Sequence, residues 1–283
     1  MTRNWLFVRL LEPLTPREAA GSIQRSEESV PEIPPLVHEI VDLLYAEDNE
    51  ALWYFERLED HYGPHLALWL RARPEVVQRI GQEIGRTSGT YQQSVVWDHY
   101  EPPTAKYLDP GTVELAAALA SASSDLALGL RRGEDFKGSG LGVAFLHLAQ
   151  ITELLAPKDR SAFLFQCWQH WTGGLSGRSR AELARRRGPA VETAALQAAD
   201  LRWNGVACWE RYGHTLRTLV AEHSGPAPLG YLLFDHARLT HRRLGVGVAD
   251  ETLAAHALRS ALAPDAGLPG HVRELLAGAP LPV

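Results

Sequence analysis

The stretch RWNGVACWERYGHTLRTL, Arg202–Leu219, brings tyrosine and histidine side chains close together in the sequence. At helical spacing, Trp209, Tyr212 and Leu216 lie on one side of a helix, which is the usual pattern of a core-facing stripe. Tyr212 and His214 can also exchange protons with an amide or a hydroxyl once their surroundings shift their pKa values. The stretch therefore predicts a packed helix that could also carry proton-transfer chemistry.

Two other segments could bind anions. The glycine-rich run GSGLGVAFLHL, Gly138–Leu148, precedes a predicted helix, so it either holds an anion at the helix N-terminus or is simply a flexible helix start. The segment GRSRAELARRRG is either a solvated helix face or a surface that attracts an acidic peptide. No aromatic residues interleave with its arginines, which disfavours nucleic acid as the partner. These arginines are Arg178, Arg180, Arg185, Arg186 and Arg187.

Several common catalytic motifs are missing from the sequence. It has no GxGxxG after a predicted strand, no Walker loop, no GxSxG elbow and no HExxH. The twelve histidines are scattered, and His236 and His241 are five residues apart, which is a poor spacing for a metal pair on a helix. We therefore expect no metal and no cofactor, and we disfavour redox chemistry, nucleotide hydrolysis and zinc hydrolysis.

Composition indicates a soluble globular protein with 45% hydrophobic and 22% charged residues. The net charge of -6 gives no overall attraction to nucleic acid or to acidic membranes. We find no run of the ~20 apolar residues that a bilayer span needs, and no cleavable signal, so we expect a cytoplasmic protein.

The hydrophobic period divides the chain into a mixed part, residues 1–109, and a helical part, residues 110–283, which we interpret as one unit. The mixed part predicts a small, mostly antiparallel sheet with helices on one face, and an α+β fold overall. Its predicted elements are strands at Trp5–Leu11, Leu52–Leu58, His65–Leu70 and Gln92–Tyr100, helices from Pro35 and over Pro74–Gly85, and a turn at Tyr62–Pro64. The helical part predicts helices from Pro110 and over Leu141–Leu155, Asp159–Trp171, Val191–His223, Pro228–Leu244 and Asp250–Leu262.

The hairpin WYFERLEDHYGPHLALWLRA, Trp53–Ala72, resembles a signature of the lantibiotic dehydratase elimination domain, which also defines the thiopeptide-type bacteriocin biosynthesis proteins. Three further segments occur in the order expected for that family: NWLFVRL, HYEPPTAKYLDPGTVELA and LTHRRLGVGVADE. The resemblance spans nearly the whole chain and implies the elimination-domain fold. It also implies a ribosomally made precursor peptide as substrate. Some members eliminate glutamate from glutamylated Ser or Thr, and others join two dehydroalanines in a formal [4+2] aza-cycloaddition.

The hairpin departs from the eliminating members of this family. Where their second strand carries arginines that handle the glutamate, this chain has Ala67 and Trp69, although Arg57 is kept. The late helix also lacks the family's histidine position and reads Arg238-Leu-Thr-His241. Trp69 suits a flat, azole-rich substrate better than an anion. We therefore interpret the chain as a pyridine synthase, with a glutamate-eliminating partner of a split dehydratase, or a non-catalytic leader-binding scaffold, as alternatives.

The resemblance implies a substrate with a leader, azoles and two dehydroalanines, and a reaction that needs only proximity and proton transfer. From chemistry and local context we expect proton exchange at Tyr212, His214, Tyr91, Tyr100 and Ser139. We expect substrate binding at Trp69, Trp171 and Arg57. Leaders in this family are typically acidic, so we expect the leader to bind either the arginines of 178–187 or the N-terminal sheet.

Overall fold

The structure, a computed structural model, describes residues 3–11, 32–91, 93–132, 139–186, 193–194, 196–198 and 207–262. The chain divides into two compact units, Met1–Gly129 and Leu130–Val283. The interpretation of residues 1–283 as a single unit stays a prediction.

The first unit contains a four-stranded antiparallel sheet, which confirms the predicted α+β class. The strand order is β2-β3-β1-β4. The strands are β1 Asn4–Leu11, β2 Leu52–Asp60, β3 Gly63–Ala72 and β4 Ser94–Asp98. β4 is shorter than the predicted strand Gln92–Tyr100, because only residues 94–98 pair with β1.

The β2–β3 hairpin turns earlier than the sequence predicted. Asp60 pairs with Gly63, so the tip consists of His61 and Tyr62 rather than Tyr62–Pro64. Gly63 has φ +84°, a left-handed conformation that glycine adopts without steric cost. The glycine therefore closes the turn as the first residue of β3.

Four helices accompany the sheet: α1 Pro35–Glu47, α2 Pro74–Thr87, α3 Thr104–Tyr107 and α4 Pro110–Arg132. α1 and α2 each begin with a proline, whose missing N–H would have no helical partner in the first turn. α2 buries Val76, Ile80 and Ile84 at four-residue spacing, and it packs on β1 and β3. At the start of α4, the Asp109 carboxylate accepts from the backbone N–H of Thr112 at 3.1 Å.

α4 covers the outer edge of the sheet. The hydroxyls of Ser121 and Ser124 accept from the backbone N–H groups of Trp53 and Phe55, both at 3.3 Å, so the edge donors of β2 are satisfied. Ala120 of the same helix packs with Tyr54, which lies on the face opposite to Trp53. The prediction of helices on one face only is therefore wrong, since α4 also reaches the second face.

Among the described helices, α4 alone is long and apolar enough to cross a membrane by length and composition. The expectation that no segment reaches that length is wrong in this respect. However, 67% of its apolar window is buried inside the protein, which is typical of a core helix in a soluble protein.

The second unit is helical wherever it forms regular structure in its described part, as predicted. The helix Leu229–Leu244 is followed by Gly245, which has φ +74°, and the Val246 N–H donates to the His241 carbonyl at 2.9 Å, closing the helix end. The predicted helix Val191–His223 includes residues that lie outside the described part. The helices are α5 Gly140–Glu153, α6 Pro157–Trp171, α7 Gly177–Arg185, α8 Ala207–Ala221, α9 Leu229–Leu244 and α10 Val248–Ala261.

Candidate functional site

Five aromatic rings lie together on one face of the sheet in the first unit, and we call them the aromatic face. Phe7, Trp69 and Tyr54 occupy one register row across β1, β3 and β2. Trp69 stacks on Phe7 at 4.8 Å and on Tyr54 at 4.9 Å between ring centroids. Trp5 contacts Tyr54 edge-on at 5.8 Å, and Tyr100 lies 4.7 Å from Trp5. The structure thus brings the predicted residues Trp69 and Tyr100 into one cluster.

Two arginines share this face. Arg9 and Arg71 each follow an aromatic residue of the row by two positions, which places them on the same side of the sheet. Arg9 pairs with Asp98 and lies 3.8 Å from Asp60, and Arg71 lies 3.4 Å from Glu114. The interpretation that the hairpin region lost its cationic groups is correct for the two positions Ala67 and Trp69. It is wrong for the face as a whole.

Tyr100 is the half-buried hydroxyl of the aromatic face. Burial raises its pKa, against a smaller opposing effect of a hydrogen bond with Tyr54 and of the Arg71 charge. The phenol is therefore protonated at neutral pH and able to donate a hydrogen bond. Tyr91 lies at the other end of β4, and a hydrogen bond to Glu39 of α1 raises its pKa. Tyr100, the last residue of the predicted strand, lies outside β4, contrary to the prediction.

A second cluster, the tyrosine–histidine cluster, lies in the interior of the second unit and consists of Tyr212, His147, His236 and His241. The Tyr212 Oη atom lies 2.7 Å from His147 Nε2 and 2.8 Å from His236 Nε2. The ring of His241 lies 5.0 Å from that of His147, and the ring of Trp171 lies 5.5 Å from that of His241. The predicted residues Tyr212 and Trp171 therefore belong to one neighbourhood.

Burial sets the protonation of this cluster. It lowers the pKa of His147 to about 3 and places the pKa values of His236 and His241 well below their ordinary range, with neighbouring positive charge acting in the same direction. Burial also raises the pKa of Tyr212. The histidines and the tyrosine are therefore neutral near pH 7.

One carboxylate adjoins the cluster. Glu251 of α10 lies with Oε2 at 3.2 Å from His241 Nδ1, and its other oxygen accepts from Arg238. The Arg238 guanidinium also lies 5.8 Å over the ring of Trp171. The ion pair with Arg238 compensates the charge of Glu251, whose side chain is 3% exposed.

Three other predicted residues lie outside both clusters. His214 follows Tyr212 by two positions, about 200° around the helix, and is exposed while Tyr212 is buried. The Ser139 hydroxyl accepts from the Gly142 N–H at 3.1 Å and donates to Gln197, so it caps α5. Arg57 donates to the carbonyl of Glu32 at 2.7 Å and lies on the sheet face opposite to Trp69. The structure does not bring these residues together with Tyr212 or Trp69.

The predicted basic segment forms α7 and its end. Only Leu183 of α7 is buried, and Arg185 pairs with Glu182 at 3.1 Å. This is a solvated helix face, and such a face is also compatible with the predicted binding of an acidic peptide. The arginines Arg178, Arg180, Arg185 and Arg186 are exposed, and Arg187 lies outside the described residues.

Within the described ranges, no group of three or more His, Cys, Asp or Glu side chains could hold a metal ion. His147 is buried and makes one hydrogen bond, to the Tyr212 hydroxyl. The roles of His236, His241 and Glu251 were missed. A usable signal was present, because buried Leu233, His236, Ala237, Thr240 and His241 follow the period of a core-facing helix side.

A family model described as "Lantibiotic biosynthesis dehydratase C-term" matches residues 25–262. No curated protein matches this sequence.

Several solved structures share the fold at low sequence identity. TsrL is 16% identical with a TM-score of 0.59, and each chain covers 100% of the other. TbtD, the pyridine synthase from thiomuracin biosynthesis, is 15% identical with a TM-score of 0.58, over 94% of this chain and 99% of that chain. The tRNA-dependent lantibiotic dehydratase MibB from Microbispora sp. 107891 is 16% identical with a TM-score of 0.54. That match covers 90% of this chain but only 28% of MibB.

Proposed function

Because this chain belongs to the lantibiotic biosynthesis dehydratase C-terminal family, we propose that it is a cytoplasmic biosynthetic enzyme that acts on a ribosomally made precursor peptide. The specific reaction we propose is pyridine formation in thiopeptide biosynthesis. A formal [4+2] cycloaddition between two dehydroalanines would close the macrocycle, and loss of water and of the leader would follow.

The observation that carries the proposal is the stacked row Phe7–Trp69–Tyr54. Trp69 stands where the resemblance places a glutamate-handling arginine in eliminating members. Its ring is partly exposed at the centre of the aromatic face. A flat azole can stack on such a surface, and each aromatic pair is worth about 0.5–1.5 kcal/mol beyond area burial.

The reaction needs proton transfers but no net redox change. One backbone amide takes its iminol form to give a 2-azadiene, and its two termini bond to the two alkene carbons of the second dehydroalanine. The hydroxylated ring then loses water, and the leader leaves as a carboxamide to give the aromatic pyridine. Holding the alkenes together could supply about 7–11 kcal/mol. The remaining work is proton donation at the amide oxygen, the ring hydroxyl and the leaving amide.

Among the predicted proton-exchanging residues, Tyr100 has the best location. It belongs to the aromatic face with Trp69, and its raised pKa keeps the phenol protonated. Tyr212 is fully enclosed, and its hydroxyl is already engaged with two imidazoles. We therefore assign proton donation to Tyr100 and an indirect role to Tyr212.

We propose that the exposed arginines of α7 and its end bind an acidic leader. Arg178 is the most suitable residue, because Arg185 is paired with Glu182, Arg180 donates to the carbonyls of Gly173 and Leu175, and the charge of Arg186 already acts on Asp250. The contribution would be electrostatic and salt-sensitive.

Glutamate elimination is the second candidate function, and Arg9 and Arg71 favour it because they share the face with Trp69. Both guanidiniums already face carboxylates of the chain, so a substrate glutamate would have to displace Asp98 or Glu114. That competition makes elimination the weaker candidate.

The deciding experiment is mass spectrometry of a leader-linked, azole-containing bis-dehydroalanine peptide incubated with the purified protein and no additive. The expected products are a pyridine macrocycle and a free leader carboxamide. An unchanged peptide, together with conversion of a glutamylated peptide to the dehydrated one, would establish elimination instead. Binding of both peptides without turnover of either would identify a scaffold.

A further inference from the structure

Among the buried polar atoms of the second unit that have no hydrogen-bond partner in the described part of the chain, three belong to neighbouring rings: His147 Nδ1, His241 Nε2 and Trp171 Nε1. The two histidines are 0% exposed and Trp171 is 5% exposed. Their rings are neighbours, with centroid distances of 5.0 Å between the histidines and 5.5 Å between Trp171 and His241. An unsatisfied buried polar atom costs about 1–3 kcal/mol, so native interiors almost always supply a partner.

The carboxylate of Glu251 determines which of these atoms donate. The Glu251 carboxylate accepts a hydrogen bond from His241 Nδ1 at 3.2 Å. The Nδ1 atom of His241 therefore carries the proton. A neutral imidazole has one N–H, which leaves His241 Nε2 as an acceptor. The indole Nε1 of Trp171 can only donate.

Tyr212 couples the remaining two histidines. Its hydroxyl has one hydrogen and lies between His147 Nε2 and His236 Nε2, so it donates to one ring and accepts from the other. If it donates to His236, then His147 carries its proton on Nε2, and His147 Nδ1 is an acceptor. The three unpartnered atoms then comprise one donor and two acceptors.

We propose that His147 Nδ1, His241 Nε2 and Trp171 Nε1 bind one buried water molecule. The water accepts from the Trp171 N–H and donates to the two imidazole nitrogens, which uses both of its hydrogens. Buried waters typically make about three hydrogen bonds of this kind. The site is a binding site for water, and it is independent of the cycloaddition.

The water would join two hydrogen-bonded groups into one chain. It would run from Glu251 through His241, the water, His147 and Tyr212 to His236. Glu251 fixes the Nδ1–H tautomer of His241, and a water that donates to both imidazoles requires Nε2–H on His147 and, through the Tyr212 hydroxyl, Nδ1–H on His236. The water, by donating to His147 Nδ1, orients the Tyr212 hydroxyl towards His236.

The test is nitrogen NMR of the full-length protein labelled with ¹⁵N-histidine, which reports the protonated nitrogen of each ring, together with a high-resolution crystal structure. We expect the three tautomers above and a water density bonded to all three atoms. An Nδ1–H tautomer on His147, or no density between the three atoms, would overturn the proposal. These measurements need only the wild-type protein, so they decide the proposal even if variants fail to fold.

A matched pair of variants sharpens the test. Trp171→Phe removes the donor to the water and is expected to shift the His147 and His241 resonances. Trp168→Phe removes another buried indole N–H that has no partner in the described part, and this ring stacks on His256 rather than on the cluster. It should leave those resonances unchanged. Equal shifts in both variants would contradict the assignment of Trp171 to the water.

Discussion

The aromatic face of the first unit and the tyrosine–histidine cluster of the second unit both contain a tyrosine hydroxyl among rings, but they differ in exposure and in charge. Tyr100 is half-buried beside Trp5, and arginines in carboxylate pairs flank the face. Tyr212 is 2% exposed, and two neutral imidazoles engage its hydroxyl. A half-open, flat surface that carries a phenol suits contact with a substrate. An enclosed hydrogen-bonded network suits the positioning of groups.

The comparison also separates two kinds of acid sensitivity. In the first unit, the backbone N–H groups of Tyr62 and His99 are the main causes that lower the pKa values of Asp60 and Asp98, with Arg9 adding to both. In the second unit, burial lowers the pKa values of three histidines. Carboxylates lose their contribution only as the pH falls through their low pKa values. The buried histidines lower the stability in a higher pH range, as the pH falls below about 6.5.

The largest predicted effect is the loss of stability on mild acidification. Below the unfolded histidine pKa of 6.5, the unfolded chain binds protons that the buried rings do not, so stability falls with pH until the folded pKa is reached, about 3 for His147. Each histidine contributes about 1 kcal/mol between pH 6.5 and 5.5, or about 3 kcal/mol for three. Urea unfolding at a series of pH values measures the slope. His236→Gln should remove about a third of it. A flat profile in this range would contradict the buried neutral assignment.

Tyr212→Phe should have the next largest effect, a loss of about 3 kcal/mol in the free energy of unfolding. The substitution keeps the ring but leaves both His147 Nε2 and His236 Nε2 without their partner. Chemical denaturation at neutral pH measures it, with Tyr231→Phe as the control because that ring is 39% exposed. Equal stability of the two variants would show that the hydrogen bonds of the Tyr212 hydroxyl do not contribute to the free energy of unfolding.

Tyr100→Phe should lower kcat about 100-fold with little change in KM, because a positioned general acid is lost while the ring contact with Trp5 is kept. Single-turnover mass spectrometry on the bis-dehydroalanine peptide measures the rate. Tyr62→Phe, at the 44%-exposed hairpin tip, is the control. Unchanged turnover would show that Tyr100 is not the proton donor, so that the two tyrosines would no longer differ in their role.

Trp69→Leu should raise KM about fivefold and leave kcat nearly unchanged, since the loss is one of stacking. Trp97→Leu is the matched control, because Trp97 pairs with Val8 and lies on the opposite face of the sheet. Titration with an azole-containing peptide measures the affinity directly. A matching loss in both variants would indicate general destabilisation instead of an azole contact.

The smallest effect is expected on the surface of the second unit. Arg178→Gln combined with Arg186→Gln should weaken leader binding about threefold and flatten its salt dependence, because exposed ion pairs contribute little. Arg86→Gln, an exposed arginine of α2 paired with Glu83, is the control. Binding that is unchanged in the double variant but weakened by changes in the sheet would move leader recognition to the first unit.

Much of the fold followed from local patterns. The strands, the proline-initiated helices and the fully helical second part were readable because apolar periodicity and proline position act over a few residues. The errors lie where a longer-range partner decides: β4 pairs with β1 only over residues 94–98, and α4 reaches the second face because its serines meet the edge of β2.

The sequence by itself determined the α+β class, the family resemblance and the presence of Trp69, Tyr100, Tyr212 and Trp171 as candidates. Only the tertiary structure decided how they group. His147 and His236 are 65 and 24 residues from Tyr212 in the chain, and no local pattern specifies that their nitrogens share one hydroxyl. Likewise, Arg57 and Trp69 were predicted to act together, but strand register places them on opposite faces. Side-chain direction in a sheet alternates with every residue, so register decides which residues can meet.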